Sequence, residues 1–216
     1  MNILSINGSP RKNWNTATLL TRALEGAAAQ GADTELVHLY DLAFKGCISC
    51  FSCKKIGGKS YGRCAVQDEL TPILERAAEA DVLIMGSPIY FFTETGEMRS
   101  FMERLMFPYL TYATGYPSIF PRKISTGLVY TMNLTEKTML AYHQDKHIAA
   151  TQGIMARIFG SCEVLLCTDT HQFDDYSKFV STAWDADAKA TRRKEVFPQD
   201  CARAYELGAK LAAAAP

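Results

Sequence analysis

Short, almost continuously apolar runs alternate along this chain with segments whose apolar residues recur every three or four positions. That alternation leaves few folds open. The runs are "NILSIN" (2–7), "TELVHLY" (34–40), "DVLIMGS" (81–87), "KISTGLVYT" (123–131) and "CEVLLCT" (162–168). Most lack strict in–out alternation, as strands covered on both faces do. Between them, Leu19, Leu20, Ala23, Leu24, Ala27 and Ala28 line one face of a helix over 16–30. Leu70, Ile73, Leu74, Ala77 and Ala78 do the same over 68–80, with Asp68 as N-cap. Helical patterns also fit 97–107, 136–159 and 198–214, the last entered through Pro198. The expectation is an α/β fold: a three-layer α/β/α sandwich around a five-stranded parallel sheet with right-handed crossovers. Its strand order would be 2-1-3-4-5, with a ligand at the carboxyl ends of the strands, at the switch point beside the first.

The 216 residues suit one domain, 1–216, and 48% hydrophobic against 21% charged residues is the composition of a folded chain. Lys plus Arg equals Asp plus Glu at 23 each, so the basic footprint of a nucleic-acid binder is missing. No apolar run approaches the ~18 residues of a membrane span. "MNILSINGSP" reads as a strand and not a secretion signal, and seven cysteines, an odd number in a chain expected in the cytoplasm, argue against structural disulfides and leave free, ligating or redox thiols. Two inserts interrupt the pattern. "FPYLTYATGYPSIFP" (107–121) is too aromatic for a plain loop and is expected at a subunit contact. The excursion 168–200 either covers apolar surface or closes over a site.

"NGSPRKNWNTATLL" follows the first strand and opens the first helix. A helix start offers unpaired N–H groups and the positive end of the dipole, which suit a phosphate. Gly8 permits the turn; Ser9, Thr16 and Thr18 add hydroxyls; Arg11 can pair with a dianion. No Gly-Lys-Ser/Thr follows, so this is not a triphosphate loop, nor is it G-x-G-x-x-G. "SPIYFF", after the third strand, would lie beside it and offer flat apolar contact to an aromatic cofactor.

Taken together, "NGSPRKNWNTATLL", "CISCFSCK", "MGSPIYFFTETGEMRSFMERL" and "YTMN" resemble the NAD(P)H-dependent FMN reductases of the flavodoxin-like superfamily, in the branch related to the iron–sulfur flavoproteins. The resemblance implies bound FMN, with Ser9, Arg11, Asn15, Thr16, Ala17 and Thr18 holding its phosphate. Pro88, Ile89, Tyr90 and Phe91 would lie along the isoalloxazine ring, and Thr131, Met132 and Asn133 on its other side. Trp14, where a small residue is usual, and Phe92, where a glycine is common, depart from the pattern. The function implied is an oxidoreductase that takes a hydride from NAD(P)H and passes electrons to a small acceptor such as a quinone or flavin. The protein would be a homo-oligomer, dimer or tetramer.

Cys47, Cys50 and Cys53 have the C-x2-C-x2-C spacing that delivers three thiolates to one cubane, with Cys64 as the fourth ligand of a [4Fe–4S] cluster. The longer last gap, through "KKIGGKSYGR", resembles relatives that keep the cysteines without metal, so metal-free thiols near the flavin are expected. The alternatives are an electron-transfer flavoprotein carrying the cluster, or a thiol redox sensor. Zinc usually draws two separated cysteine pairs and is not expected. His143 and His147 read as a solvated helix face, "RRKE" (192–195) as a wet charge run, and Cys162, Cys167 and Cys201 as small buried hydrophobes.

Overall fold

The apolar runs assemble as parallel strands in the computed structural model, which describes residues 1–215. β1 (Asn2–Asn7), β2 (Asp33–His38), β3 (Val82–Tyr90), β5 (Ser125–Thr131) and β6 (Glu163–Cys167) form a sheet in the order β2-β1-β3-β5-β6. Its neighbours all pair in parallel, as the 2-1-3-4-5 order requires. All seven residues of β5 and five of six in β1 are buried, because helices cover both faces. On one face lie α2 (Thr71–Glu79), α3 (Gly96–Met106) and α5 (Gln144–Phe159), over a core that includes Leu83, Phe101, Leu128 and Phe159. On the other lie α1 (Asn15–Ala28) and α7 (Phe197–Ala213), around Ile84, Leu20, Val129 and Leu211. α1 and α7 cross in backbone contact: a side chain at Gly26 would overlap the Tyr205 carbonyl, and one at Gly208 the Ala23 carbonyl.

Four features depart from the sequence reading. A sixth strand, β4 (Thr93–Glu94), folds back antiparallel on β3, with Ile89 opposite Glu94 and Tyr90 opposite Thr93. It went unseen because its two-residue turn is Phe91-Phe92, both at positive φ (48° and 67°), and not the usual Asn-Gly. The helix expected over 136–159 is two, α4 (Glu136–Ala141) and α5, broken where His143 takes the left-handed conformation at φ 56°. The break turns the buried Gln144 inward, where its Nε2 donates to the Phe92 carbonyl at 2.8 Å. Asp68 does not cap α2; it accepts from Arg104 at 2.5 Å. Finally, the 168–200 excursion contains α6 (Ala186–Glu195), capped by Asp185 through the N–H groups of Asp187 and Ala188.

The aromatic insert covers its own core in part. Tyr109, Phe120 and Phe159 meet edge to face at 4.8–6.2 Å. Tyr112 and Tyr116 stay 66% and 58% exposed, so the expected subunit contact concerns these two.

Candidate functional site

β1, β3 and β5 are adjacent, so the loops leaving their carboxyl ends converge. In the first loop, Asn7 Oδ1 accepts from the Ser9 N–H (3.0 Å) and Ser9 Oγ from the Arg11 N–H (3.1 Å), which curls the chain into α1. Gly8 is wedged against the next loop: its carbonyl accepts from Thr95 Oγ1 at 2.6 Å, and a Cβ would press on Met98. α1 then begins with no side-chain cap and no acidic residue in its first turn, although Asn15, Thr16 and Ala17 are buried. A buried, uncapped helix start is short of an acceptor, and a phosphate supplies one. Arg11 lies alongside, its guanidinium 3.8 Å from the centre of the Trp14 ring. Ser9, Arg11, Asn15, Thr16 and Ala17 are thus gathered at one place. Thr18 is not aimed there: its hydroxyl donates back to the Trp14 carbonyl at 2.9 Å.

The second loop is the β3–β4 hairpin. Tyr90, Phe91 and Phe92 are exposed at its tip, Phe91 to 98%. Two bulky residues at positive φ cost energy that the surroundings must offset. Gln144 holds the Phe92 carbonyl, and Glu94, buried just past the turn, is gripped by Tyr130 Oη (2.6 Å) and Thr93 Oγ1 (2.9 Å). Arg99 and His147 approach the same carboxylate at 3.5 and 3.4 Å. Burial raises the Glu94 pKa, but the bonds from Tyr130, its own backbone N–H and Thr93, with the charge of Arg99, outweigh it and hold the group below the ordinary carboxylate range. His147 therefore faces a buried acid and not only solvent, whereas His143 is exposed at the helix break.

The third loop follows β5. Thr131 Oγ1 meets Thr16 Oγ1 at 2.8 Å, tying it to the first loop, and the Met132 N–H donates to the Cys167 carbonyl. Asn133 Oδ1 is buried without a hydrogen-bond partner among the described residues. An orphaned acceptor here suits the N–H edge of a heterocycle, so the three loops fit a phosphorylated flavin in charge, flatness and polarity.

The cysteine loop lies against α3 and is pinned by Arg104, whose side chain is fully buried. Arg104 donates to Asp68 Oδ2 (2.5 Å), to the Lys45 and Val66 carbonyls (3.1 Å each) and to Cys64 Sγ (3.4 Å). Cys47, Cys50, Cys53 and Cys64 line one small pocket of about 20 Å³. Among the described residues, however, no three His, Cys, Asp or Glu side chains converge closely enough to hold a metal ion. Burial pushes the Cys53 thiol up, while the Ser52 N–H and hydroxyl draw that of the exposed Cys50 down. Cys167 is not merely a small hydrophobe: its Sγ lies 2.9 Å from the buried Asp200 carboxylate.

Residues 1–156 match the family described as NADPH-dependent FMN reductase. The chain belongs to that family. Among curated relatives of this FMN reductase-family chain, an iron–sulfur flavoprotein of Methanocaldococcus jannaschii is 36% identical over 104 residues, 48% of this chain and 51% of that one. A Bacillus subtilis protein named as an NAD(P)H-dependent FMN-containing oxidoreductase is 30% identical over 104 residues, 48% of this chain and 51% of that one. The chain spans about half the length of the curated relatives it matches. Among solved structures, NAD(P)H:quinone oxidoreductase from Methanothermobacter marburgensis superimposes with a TM-score of 0.69 at 15% identity, covering 98% of this chain and 96% of the other. An FMN-dependent NADH-azoreductase from Bacillus anthracis, in complex with FMN, gives 0.69 at 13% identity, covering 98% and 100%. At these identities the superpositions establish the flavodoxin-like fold alone.

Sequence reasoning missed Glu94, Arg104, Gln144 and Arg193, whose Nη1 donates to Asn15 Oδ1 at 2.8 Å from the far side of the excursion. Arg104 carried a signal, standing three residues after the core residue Phe101 on a helix. Gln144 and Arg193 carried none, since a helix break without Gly or Pro and a distant excursion hide both.

Proposed function

We propose that this FMN reductase-family chain binds FMN and uses it to oxidise a nicotinamide and reduce a small acceptor such as a quinone or a flavin. The observation that carries the reading is the buried start of α1, without cap or acid and with Arg11 beside it. Ser9, Arg11, Asn15, Thr16 and Ala17 hold the phosphate, while Thr18 steadies the loop through its bond to the Trp14 carbonyl. Pro88, Ile89, Tyr90 and Phe91 flank the ring on one side and Thr131, Met132 and Asn133 on the other, Asn133 supplying the acceptor that lacks a donor. FMN when bound supplies the hydride and electron chemistry; the chain orients it and keeps its polar edge out of water. The Thr95–Gly8 and Thr16–Thr131 hydrogen bonds fix the three loops to one another. No side chain here is assigned as an acid or base. The exposed tip of the hairpin, with Phe92 and Tyr142 5.4 Å apart, offers flat apolar surface to an aromatic acceptor or a second subunit.

No helix among the described residues is long and apolar enough to cross a membrane. All seven cysteines are unpaired, which supports a reducing, cytoplasmic setting; the exposed Tyr112 and Tyr116 of the aromatic insert support a homo-oligomer. The names of the quinone oxidoreductase and the azoreductase support the acceptor class. The test is FMN affinity of Arg11→Ala, expected to fall by about 10- to 100-fold for loss of one charge-assisted contact. An unchanged affinity would remove the phosphate from this loop.

A further inference from the structure

Which basic side chains of the excursion are already neutralised decides what that excursion is for. On α6, Lys189 is buried and paired with Asp169, and its Nζ also donates to the Asn133 carbonyl at 3.0 Å. Arg192 donates to Asp200 at 2.6 Å, and Lys194 is exposed. The expected wet charge run is therefore partly inside the fold. Arg193 differs from both neighbours. It is half-buried, and among the described residues no carboxylate lies within ion-pair distance of it. Its Nη1 donates to Asn15 Oδ1 at 2.8 Å, and its guanidinium lies 4.0 Å from the Phe197 ring centre and 5.9 Å from that of Trp14. Arg11, which likewise has no carboxylate partner there, lies over the same indole. On that loop Lys12 is the paired cation, with Asp41.

Two unneutralised guanidiniums thus meet at one tryptophan, beside a helix start that has no acid in its first turn. Guanidiniums left without a carboxylate partner beside an uncapped helix start suit a dianionic ligand. The excursion is also tied to the loop by the loop's own donors. Trp14 Nε1 and Asn15 Nδ2 donate to the His171 carbonyl (3.2 and 3.0 Å), and Arg11 Nη1 donates to that of Gln172 (2.7 Å). The His171 imidazole registers the field there: burial first, then the Arg193 charge, with smaller contributions from Lys189 and Arg11, hold it below its ordinary range against Asp174. We propose that Arg193 is a second phosphate-binding residue of the flavin site, carried by α6 to the start of α1, and that the 168–200 excursion forms the outer wall of that site. The inference rests on the proposed placement of FMN and adds a residue to it from the far end of the chain.

Riboflavin, which is FMN without its phosphate, makes the test specific. FMN and riboflavin affinities of the flavin-free full chain are measured by fluorescence quenching for the wild type, Arg11→Ala, Arg193→Gln and Arg193→Lys. Arg193→Gln is expected to weaken FMN by about 10- to 100-fold and to leave riboflavin unchanged. Arg193→Lys keeps the charge but loses the planar fork that lies over Phe197, and is expected to lose a smaller factor, again in FMN alone. It reports on the proposal even should the glutamine variant not fold. Unchanged FMN affinity in the Arg193 variants, or equal weakening of both ligands, overturns the proposal. An Arg11 effect without an Arg193 effect removes only Arg193; unchanged FMN in both removes the phosphate placement itself.

Discussion

Replacing Arg104 with methionine should unfasten the cysteine loop while leaving the flavin loops intact. The side chain is fully buried and makes four polar contacts, one to a carboxylate, two to carbonyls and one to a thiol. Methionine fills much of the volume but donates nothing, so Asp68 keeps a charge without its partner and the Lys45 and Val66 carbonyls lose a donor. Breaking a buried pair on one side costs about 3–5 kcal/mol. Asp68 is itself 19% exposed and water can reach it, so the lower half of that range is expected. The loss should also depend on pH. Burial raises the Asp68 pKa, but the hydrogen bond and charge of Arg104, with two backbone N–H groups, outweigh it and hold the carboxyl below its ordinary range. A depressed folded pKa contributes stability that is present above the unfolded value of about 3.9 and is lost as pH falls through the folded one. The gap between wild type and Arg104→Met should therefore be full at neutral pH and narrow below about pH 4. Urea denaturation across pH measures it, and limited proteolysis should cut the variant within 45–68. A gap under about 1 kcal/mol, or one that does not change with pH, would refute this account of the loop.

Gly208→Ala should destabilise by more than the roughly 1–3 kcal/mol usual for overpacking, because the methyl meets the Ala23 backbone and not a movable side chain; a thermal melt matching wild type would show that α7 can shift. Tyr130→Phe removes the closest donor to the buried Glu94 and should cost about 1.5–3 kcal/mol at pH 7 while moving acid unfolding to higher pH, since the Glu94 pKa rises; an unmoved acid midpoint would contradict the network. Strictly anaerobic purification should yield protein with FMN and no stoichiometric iron or acid-labile sulfide. Iron and sulfide near the roughly four per chain of a filled cubane would show that the cysteine loop holds one.

The sheet was legible because strands buried on both faces carry apolar runs without strict alternation, as "VLIM" (82–85) in β3 and "LVY" (128–130) in β5 do. The phosphate loop was legible because its chemistry is local: strand, Gly8, hydroxyls, Arg11 and helix lie within eighteen residues of one another. What could not be read was set by contacts distant in sequence. The Phe91-Phe92 turn violates the usual preference for Gly or Asn, and it is held by Gln144 and the Glu94 network from elsewhere in the chain. Arg193 reaches Asn15 across 178 positions. Asp68 fits an N-cap pattern, but α2 starts only at Thr71, and the Asp68 carboxylate accepts from the Leu70 N–H on one oxygen and from the distant Arg104 on the other.

The most direct test of the central claim is anaerobic mixing of the FMN-loaded full chain with NADPH or NADH, followed by the visible absorption of the flavin. Rapid bleaching by at least one nicotinamide, with the colour restored on adding a quinone, is the predicted result. A flavin that stays oxidised with both nicotinamides yet is reduced by dithionite would contradict the claim and make this chain a carrier of electrons from another protein.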